Sequence, residues 1–137
     1  MSNTITVEQA ENRVEEYFRN ALAVLPAQAR PEVGLIHTVE CGDPTDHGPQ
    51  GRKIASVDYQ IHDLPSDEYP QYVADLERWW RAHNFHVLDD ERPTYQSIWV
   101  ENKDDGFRMR VQDNDLGEFF LIATSPCVWP NGTPEPE

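Results

Sequence analysis

Apolar residues recur at three- and four-residue steps near the front of the chain and at two-residue steps through much of the rest. In "TVEQAENRVEEYFRNALAVLP", Val7, Ala10, Val14, Phe18, Ala21, Leu22 and Leu25 fall on one stripe. That period predicts an amphipathic helix. Thr6 and Gln9 have the spacing of a capping box at its start, and Pro26 marks its end. A second helical stripe runs through Tyr69, Val73, Leu76, Trp80 and His83. Ser66 is its expected N-cap, with Asp67 and Glu68 at the positive helix end and Pro70 in the first turn, where a missing N–H costs nothing. Asn84 is placed to take the left-handed conformation that closes a helix.

Strands fill the rest. "EVGLIHTVEC" alternates so that Val33, Leu35, His37, Val39 and Cys41 share a face, and "KIASVDYQIHDL" puts Ala55, Val57, Tyr59 and Ile61 on one side. "FHVLDD" reads as a short strand, followed by a meander of "YQSIWVEN", "GFRMRVQD" and "EFFLIATS". Asp105-Gly106 is the strongest hairpin signal in the chain. A two-residue turn there would set Val100 opposite Val111 and Asn102 opposite Met109, with Glu101 facing Arg110 and Trp99 facing Gln112 on the other side. "FFLIA" does not alternate, which suggests a central strand buried on both faces. The element order α-β-β-α-β-β-β-β predicts an α+β fold, a two-layer sandwich with both helices on one face of a single antiparallel sheet.

Length changes this picture little. The chain has 137 residues, enough for one domain, expected over residues 1–128, with a polar tail over 129–137. No apolar stretch approaches the length of a membrane span, so direct insertion is not expected. The formal charge of −14 excludes a nucleic-acid partner, because there is no basic stripe to replace phosphate counterions. The plainest meaning of that charge is solubility.

Few residues suggest chemistry. Glu40, Asp43, Asp46 and His47, with His37 nearby, have ligand types that suit divalent ions, but their spacing matches no known site and turn formation accounts for them. "DNDLGE" resembles part of a calcium loop, yet Gly117 is at the wrong offset, so a tight turn is expected. Ser125 lacks a nucleophile-elbow context, and there is no glycine-rich phosphate loop. No catalytic residue, metal or cofactor is therefore expected. The aromatic residues say more. Trp79 and Trp80 are adjacent on a helix, so one must leave the main stripe. Trp99 lies on the sheet face away from Val100, with Arg110 diagonal to it and able to lie over its ring, and Phe119 or Phe120 would continue the row. Aromatic and arginine side chains on one surface are typical anchors of an interface, whereas a Trp covered by a helix or loop is plain core. Trp99, Arg110 and Phe119 are the candidate binding residues.

Cys41 and Cys127 are the only cysteines, and both sit at strand ends beside irregular loops. A bridge between them would close most of the domain, while two separate buried thiols remain the alternative. "RVEEYFRNAL", the strand ending in "EC", "LERWWRAHNFHV", "DDGFRMRV" and "TSPCVWPNG" together resemble uncharacterised actinobacterial exported proteins, many of them lipoproteins. The similarity runs from the first helix to Trp129, and its motifs are structural, so it carries no catalytic residue across. It implies an extracytoplasmic domain with Cys41 and Cys127 paired. "MSNTITVEQ" has no basic region, apolar core or lipobox cysteine. The expectation is an extracytoplasmic domain, lipid-anchored in its full-length form, or else a cytoplasmic one. The leading functional expectation is a non-enzymatic domain that binds a protein or envelope component. A small-molecule binder or hydrolase with a pocket between helices and sheet is the first alternative, and an acidic intracellular inhibitor of the immunity type is the second.

Overall fold

The computed structural model describes residues 4–41 and 51–133. Helix α1 spans Val7–Leu22, followed by strands β1 (Arg30–Glu40) and β2 (Lys53–His62). Helix α2 spans Tyr69–Ala82, and strands β3 (Phe85–Asp90), β4 (Ile98–Asn102), β5 (Arg108–Asp113) and β6 (Phe119–Thr124) follow. The six strands form one antiparallel sheet in the order β1-β2-β6-β5-β4-β3. Both helices lie on one face, which makes this an α+β two-layer fold.

Local chemistry explains the helix ends. The Thr6 hydroxyl accepts from the Gln9 N–H, and the Gln9 side chain accepts from the Thr6 N–H, so the capping box is complete. Ser66 behaves differently. Residues Ser66–Glu68 form a single 3-10 turn with no side-chain cap, because Pro65 precedes them and Pro70 already occupies the first turn of α2. Asn84 has φ 74° and closes α2 in the left-handed region. His83 leaves the apolar stripe. It is exposed and stacks on Trp79, which packs partly buried against the edge of the core, while Tyr72 and Trp80 are fully buried.

The core lies between the helices and one face of the sheet. Ala10, Val14, Phe18 and Ala21 of α1 and Val73, Leu76 and Trp80 of α2 meet Val57, Val100, Met109, Val111, Leu121 and Ala123. Burial of this kind stabilises by roughly 1.5–3 kcal/mol per large side chain.

Three strand readings need correction. β6 is central, as its apolar run suggests, but it is buried on one face only: Phe119, Leu121 and Ala123 are buried, whereas Phe120, Ile122 and Thr124 are half-buried. Neither α1 nor α2 covers the second face, and Phe120 and Ile122 are only half-buried there. In the β4–β5 hairpin, Val100 faces Met109, Trp99 faces Arg110, Glu101 faces Arg108 and Ile98 faces Val111. This differs by two residues from the register of a two-residue turn. The loop is four residues, Lys103–Gly106, because the Asn102 side chain accepts from the N–H groups of Asp104 and Asp105 and Asn102 N–H donates to the Phe107 carbonyl. Gly106, at φ 74°, completes that loop. A slip of two keeps every side chain on its expected face. In β1, a register shift at Gly34 breaks the alternation. Val33 pairs with Tyr59 on the helix side, whereas Val39 pairs with Ile54 on the opposite side, so the expected common face does not exist and both valines are exposed.

The packed domain also continues past residue 128. Val128 exchanges backbone hydrogen bonds with Lys53, and Trp129 is 4% exposed. Trp129 N–H donates to the Thr4 hydroxyl, Thr4 N–H donates to the Gly132 carbonyl, and Val7 N–H donates to the Pro130 carbonyl. Trp129 is thus core for the chain start rather than the head of a free tail.

Candidate functional site: the uncovered face of the sheet

The face opposite the helices carries the residues singled out above. Even-numbered positions of β5 and β6 point there, in register with Trp99 of β4. Trp99 faces Arg110, Arg110 faces Ile122, and Ile122 faces Asp58, so one row crosses four strands. The next row joins Gln112, Phe120 and Gln60. Trp99 is 38% exposed. The Arg110 guanidinium lies 5.2 Å from the centre of the Trp99 ring. At this partly exposed site the contact contributes about 0.5–1 kcal/mol.

Arg110 is held from three sides. Its Nε and Nη2 donate to the Ser97 hydroxyl at 3.4 Å, and its Nη2 lies 3.7 Å from a Glu91 carboxylate oxygen. Ser97 is itself buried, so the guanidinium is fixed against the sheet rather than free in solvent. Arg108, also on this face, pairs with Glu101 at 2.9 Å, and His86 approaches the same carboxylate at 3.5 Å.

Two shallow depressions flank the row. One, about 250 Å³, is lined by Phe120, Ile122, Gln60, Gln112, Asp58 and Glu32. The other, about 270 Å³, runs from Tyr95 and Glu91 across Arg110 to Asp113. The surface therefore mixes aromatic, aliphatic, amide and guanidinium groups, which suits recognition by contact.

Phe119 is not part of it. Its side chain is fully buried on the helix side and stacks on Tyr69 with centroids 4.4 Å apart. Strand parity is the reason: Gln112 and Phe120 face each other on the open side, so their neighbour Phe119 must point the other way. Phe120 and Ile122 complete the row, and the parity of Trp99 carried through the sheet register identifies them.

Cys41 and Cys127 are joined in a disulfide with α-carbons 5.7 Å apart. The bridge links the end of β1 to the segment after β6, two strands that are not neighbours in the sheet. Asp43, Asp46 and His47 lie outside the described residues, as does the side chain of His37. Among the described residues, no group of three or more His, Cys, Asp or Glu side chains converges. No described helix is long and apolar enough to cross a membrane.

The titrations that depart from ordinary behaviour lie on the helix side. Burial, and then a hydrogen bond to Asp105, pushes the Tyr17 hydroxyl well above the usual phenol range and ties α1 to the β4–β5 loop. Burial works to raise the Glu77 carboxyl, but hydrogen bonds from Arg92 and Arg81 outweigh it and hold the group below its usual range. The hydrogen bonds from Arg92 likewise lower Asp90. These groups are fastening points between elements rather than acids or bases poised for chemistry.

No family model matches the chain, and no curated protein or solved structure matches it at a significant level.

Proposed function

We propose that this chain is a non-enzymatic extracytoplasmic domain that binds a protein or cell-envelope component through the uncovered face of its sheet. The observation that carries the reading is the Trp99–Arg110 pair: a large aromatic left 38% exposed beneath a guanidinium that Ser97 and Glu91 hold in place. Pre-positioned Trp and Arg side chains are the commonest anchors of interfaces, since little further ordering is required when a partner arrives. Phe120 and Ile122 extend the apolar contact, and Gln60 and Gln112 offer hydrogen bonds at its rim. The disulfide supports an oxidising compartment. Resemblance to actinobacterial exported proteins supports the same location, with lipid anchoring as the expected arrangement of the full-length form.

The test is affinity capture from a cell-envelope extract, with wild type and Trp99→Ala in parallel, followed by titration of the purified partner. Trp99→Ala should weaken binding about 30-fold, the equivalent of about 2 kcal/mol. Equal affinity of the two proteins for the same partner would refute the site.

A further inference from the structure

The depression beside Arg110 lies between two loops that the chain itself fixes. In the β3–β4 loop, Glu91 N–H donates to the Ser97 carbonyl at 3.0 Å, and Tyr95 N–H donates to the Glu91 carbonyl at 3.2 Å. Gln96 N–H donates to the Asp113 carboxylate at 3.0 Å, which fastens this loop to the end of β5. In the β5–β6 turn, the Asn114 side chain accepts from the Leu116 and Glu118 N–H groups and donates to the Glu118 carboxylate, so it is fully occupied in holding the turn. Arg110, Gln112 and Asp115 complete the lining. The groups are therefore in place before a ligand arrives.

The bonding capacity left over decides what fits. Glu91 and Asp113 each engage one carboxylate oxygen, and Arg110 engages Nε and Nη2, which leaves Nη1 as a donor. Among the described residues, the Tyr95 hydroxyl, the Gln112 amide and the Asp115 carboxylate enter no side-chain hydrogen bond or ion pair. A guanidinium only donates, a carboxylate only accepts, and amides and hydroxyls do both. An anionic ligand would meet three carboxylates. A cationic one would meet Arg110, and it would find Glu91 and Asp113 already engaged and Asp115 exposed, where a charge pair contributes little. A neutral ligand with several hydroxyls donates to the carboxylates and accepts from Arg110 and Gln112 at once. Its C–H face needs an aromatic ring to cover, and Tyr95 is 41% exposed in the lining, with Trp99 beside Arg110. Tyr95 is also the only apolar side chain of that lining among the described residues, so the depression offers no desolvated pocket for the anchor of a protein partner.

Resting on the open face as the binding surface proposed above, we infer that this depression is a saccharide subsite and that the component bound there is a neutral glycan. Tyr95 stacks on a sugar ring, Arg110 and Gln112 donate to its oxygens, and Glu91, Asp113 and Asp115 accept from its hydroxyls. At about 270 Å³ and open to solvent, the depression suits one unit of a sugar chain that lies along the surface towards Trp99.

The test is titration of the isotope-labelled, oxidised protein with neutral tetrasaccharides of glucose, mannose, galactose and N-acetylglucosamine, each to about 20 mM, with amide shifts as the readout. At least one sugar should give saturable shifts at Tyr95, Ser97, Gln112 and Asp115, with a Kd of about 1 mM. Tyr95→Ala should weaken that titration about tenfold or more, and Gln112→Ala about threefold, both with unchanged circular dichroism. Tyr95 is exposed, so its variant carries the test if Gln112→Ala fails to fold. Absence of saturable shifts with all four sugars overturns the inference, and a Trp99-dependent partner captured from the envelope extract then leaves the binding face standing without it. Sugar binding that Tyr95→Ala leaves unchanged also overturns it, as do shifts at these amides produced by tetralysine and by no sugar. Sugar binding lost in Tyr95→Ala, together with capture indifferent to Trp99→Ala, supports the subsite and refutes only the Trp99 anchor.

Discussion

β3 and β1 are the two outermost strands of the sheet, six and eleven residues long. β3 begins with the buried Phe85, lies under α2 and ends in Asp89 and Asp90 after a register shift at Leu88. Arg92 then clamps Asp90 at 2.6 Å and Glu77 of α2 at 2.8 Å, so packing and ion pairs hold this edge close to the domain. β1 exposes apolar residues on both sides, Val33 and Ile36 on one and Val39 on the other, and is secured at its far end by the Cys41–Cys127 bridge. Shortness, a bulge and acidic residues are ordinary protections of an exposed edge, and β3 has all three. β1 has the Gly34 shift and Pro31 near its start, yet beyond Gly34 it offers a regular ladder to β2 from Leu35 to Glu40. The difference teaches that one edge is closed by its own chain, while the other, among the described residues, is kept in place without being closed.

Removing the covalent tether is the strongest way to break that contrast. A Cys41→Ser, Cys127→Ser double variant should lose about 4–5 kcal/mol, the chain-entropy value for a bridge that spans 86 residues. Hydrogen exchange should accelerate first in β1 and β2 and last in β3. A loss below about 1 kcal/mol by urea unfolding would show that β1 is held by something else.

Phe85→Ala attacks the other edge. Truncation of this buried ring, which meets Tyr17 edge-on at 5.5 Å, should cost about 3–4 kcal/mol, measured by the same unfolding experiment. Exchange should then accelerate in β3 rather than β1, and uniform acceleration would contradict separate anchoring.

A smaller effect belongs to the ion pairs. Arg92→Ala should cost about 1 kcal/mol near neutral pH, since the groups are partly exposed. Glu77 and Asp90 have folded-state pKa values below their unfolded ones. Their contribution is therefore complete above about pH 4–5 and disappears as pH falls through the folded values. Melting temperatures of wild type and Arg92→Ala should converge as acidification protonates both carboxylates, below their ordinary titration range, and a gap that widens there would reverse the assignment.

Trp99→Ala should change stability least, by about 0.5 kcal/mol, because it removes a half-exposed ring and one cation–π contact. A loss comparable with Phe85→Ala would make Trp99 a structural residue and withdraw it from the binding face.

Helix positions were legible in the residues because helical information is local. Thr6 and Gln9 satisfy each other within one turn, and Asn84 needs only its own tolerance of positive φ. Strand identity was legible for the same reason. The candidate face was legible in part: Trp99 and Arg110 do share it, but Phe119 belongs to the core and Phe120 takes its place. Neighbours in a strand point to opposite faces, and "FFLIA" contains no polar residue to say which parity is outward.

By itself, the sequence determined the α+β class, the element order, both helix stripes apart from His83 and the side of the sheet on which Trp99 lies, because each rests on a period or a turn within a few residues. Tertiary structure alone decided the rest. The side chain of Asn102 lengthened the β4–β5 loop and moved its register by two. The shift at Gly34 reversed the parity of β1, and contact with Thr4 drew Trp129 into the fold. The placement of the two helices left Val33, Ile36 and Val39 of β1 exposed. These outcomes depend on which residues meet across large sequence separations, and that competition among distant partners is written in no single segment.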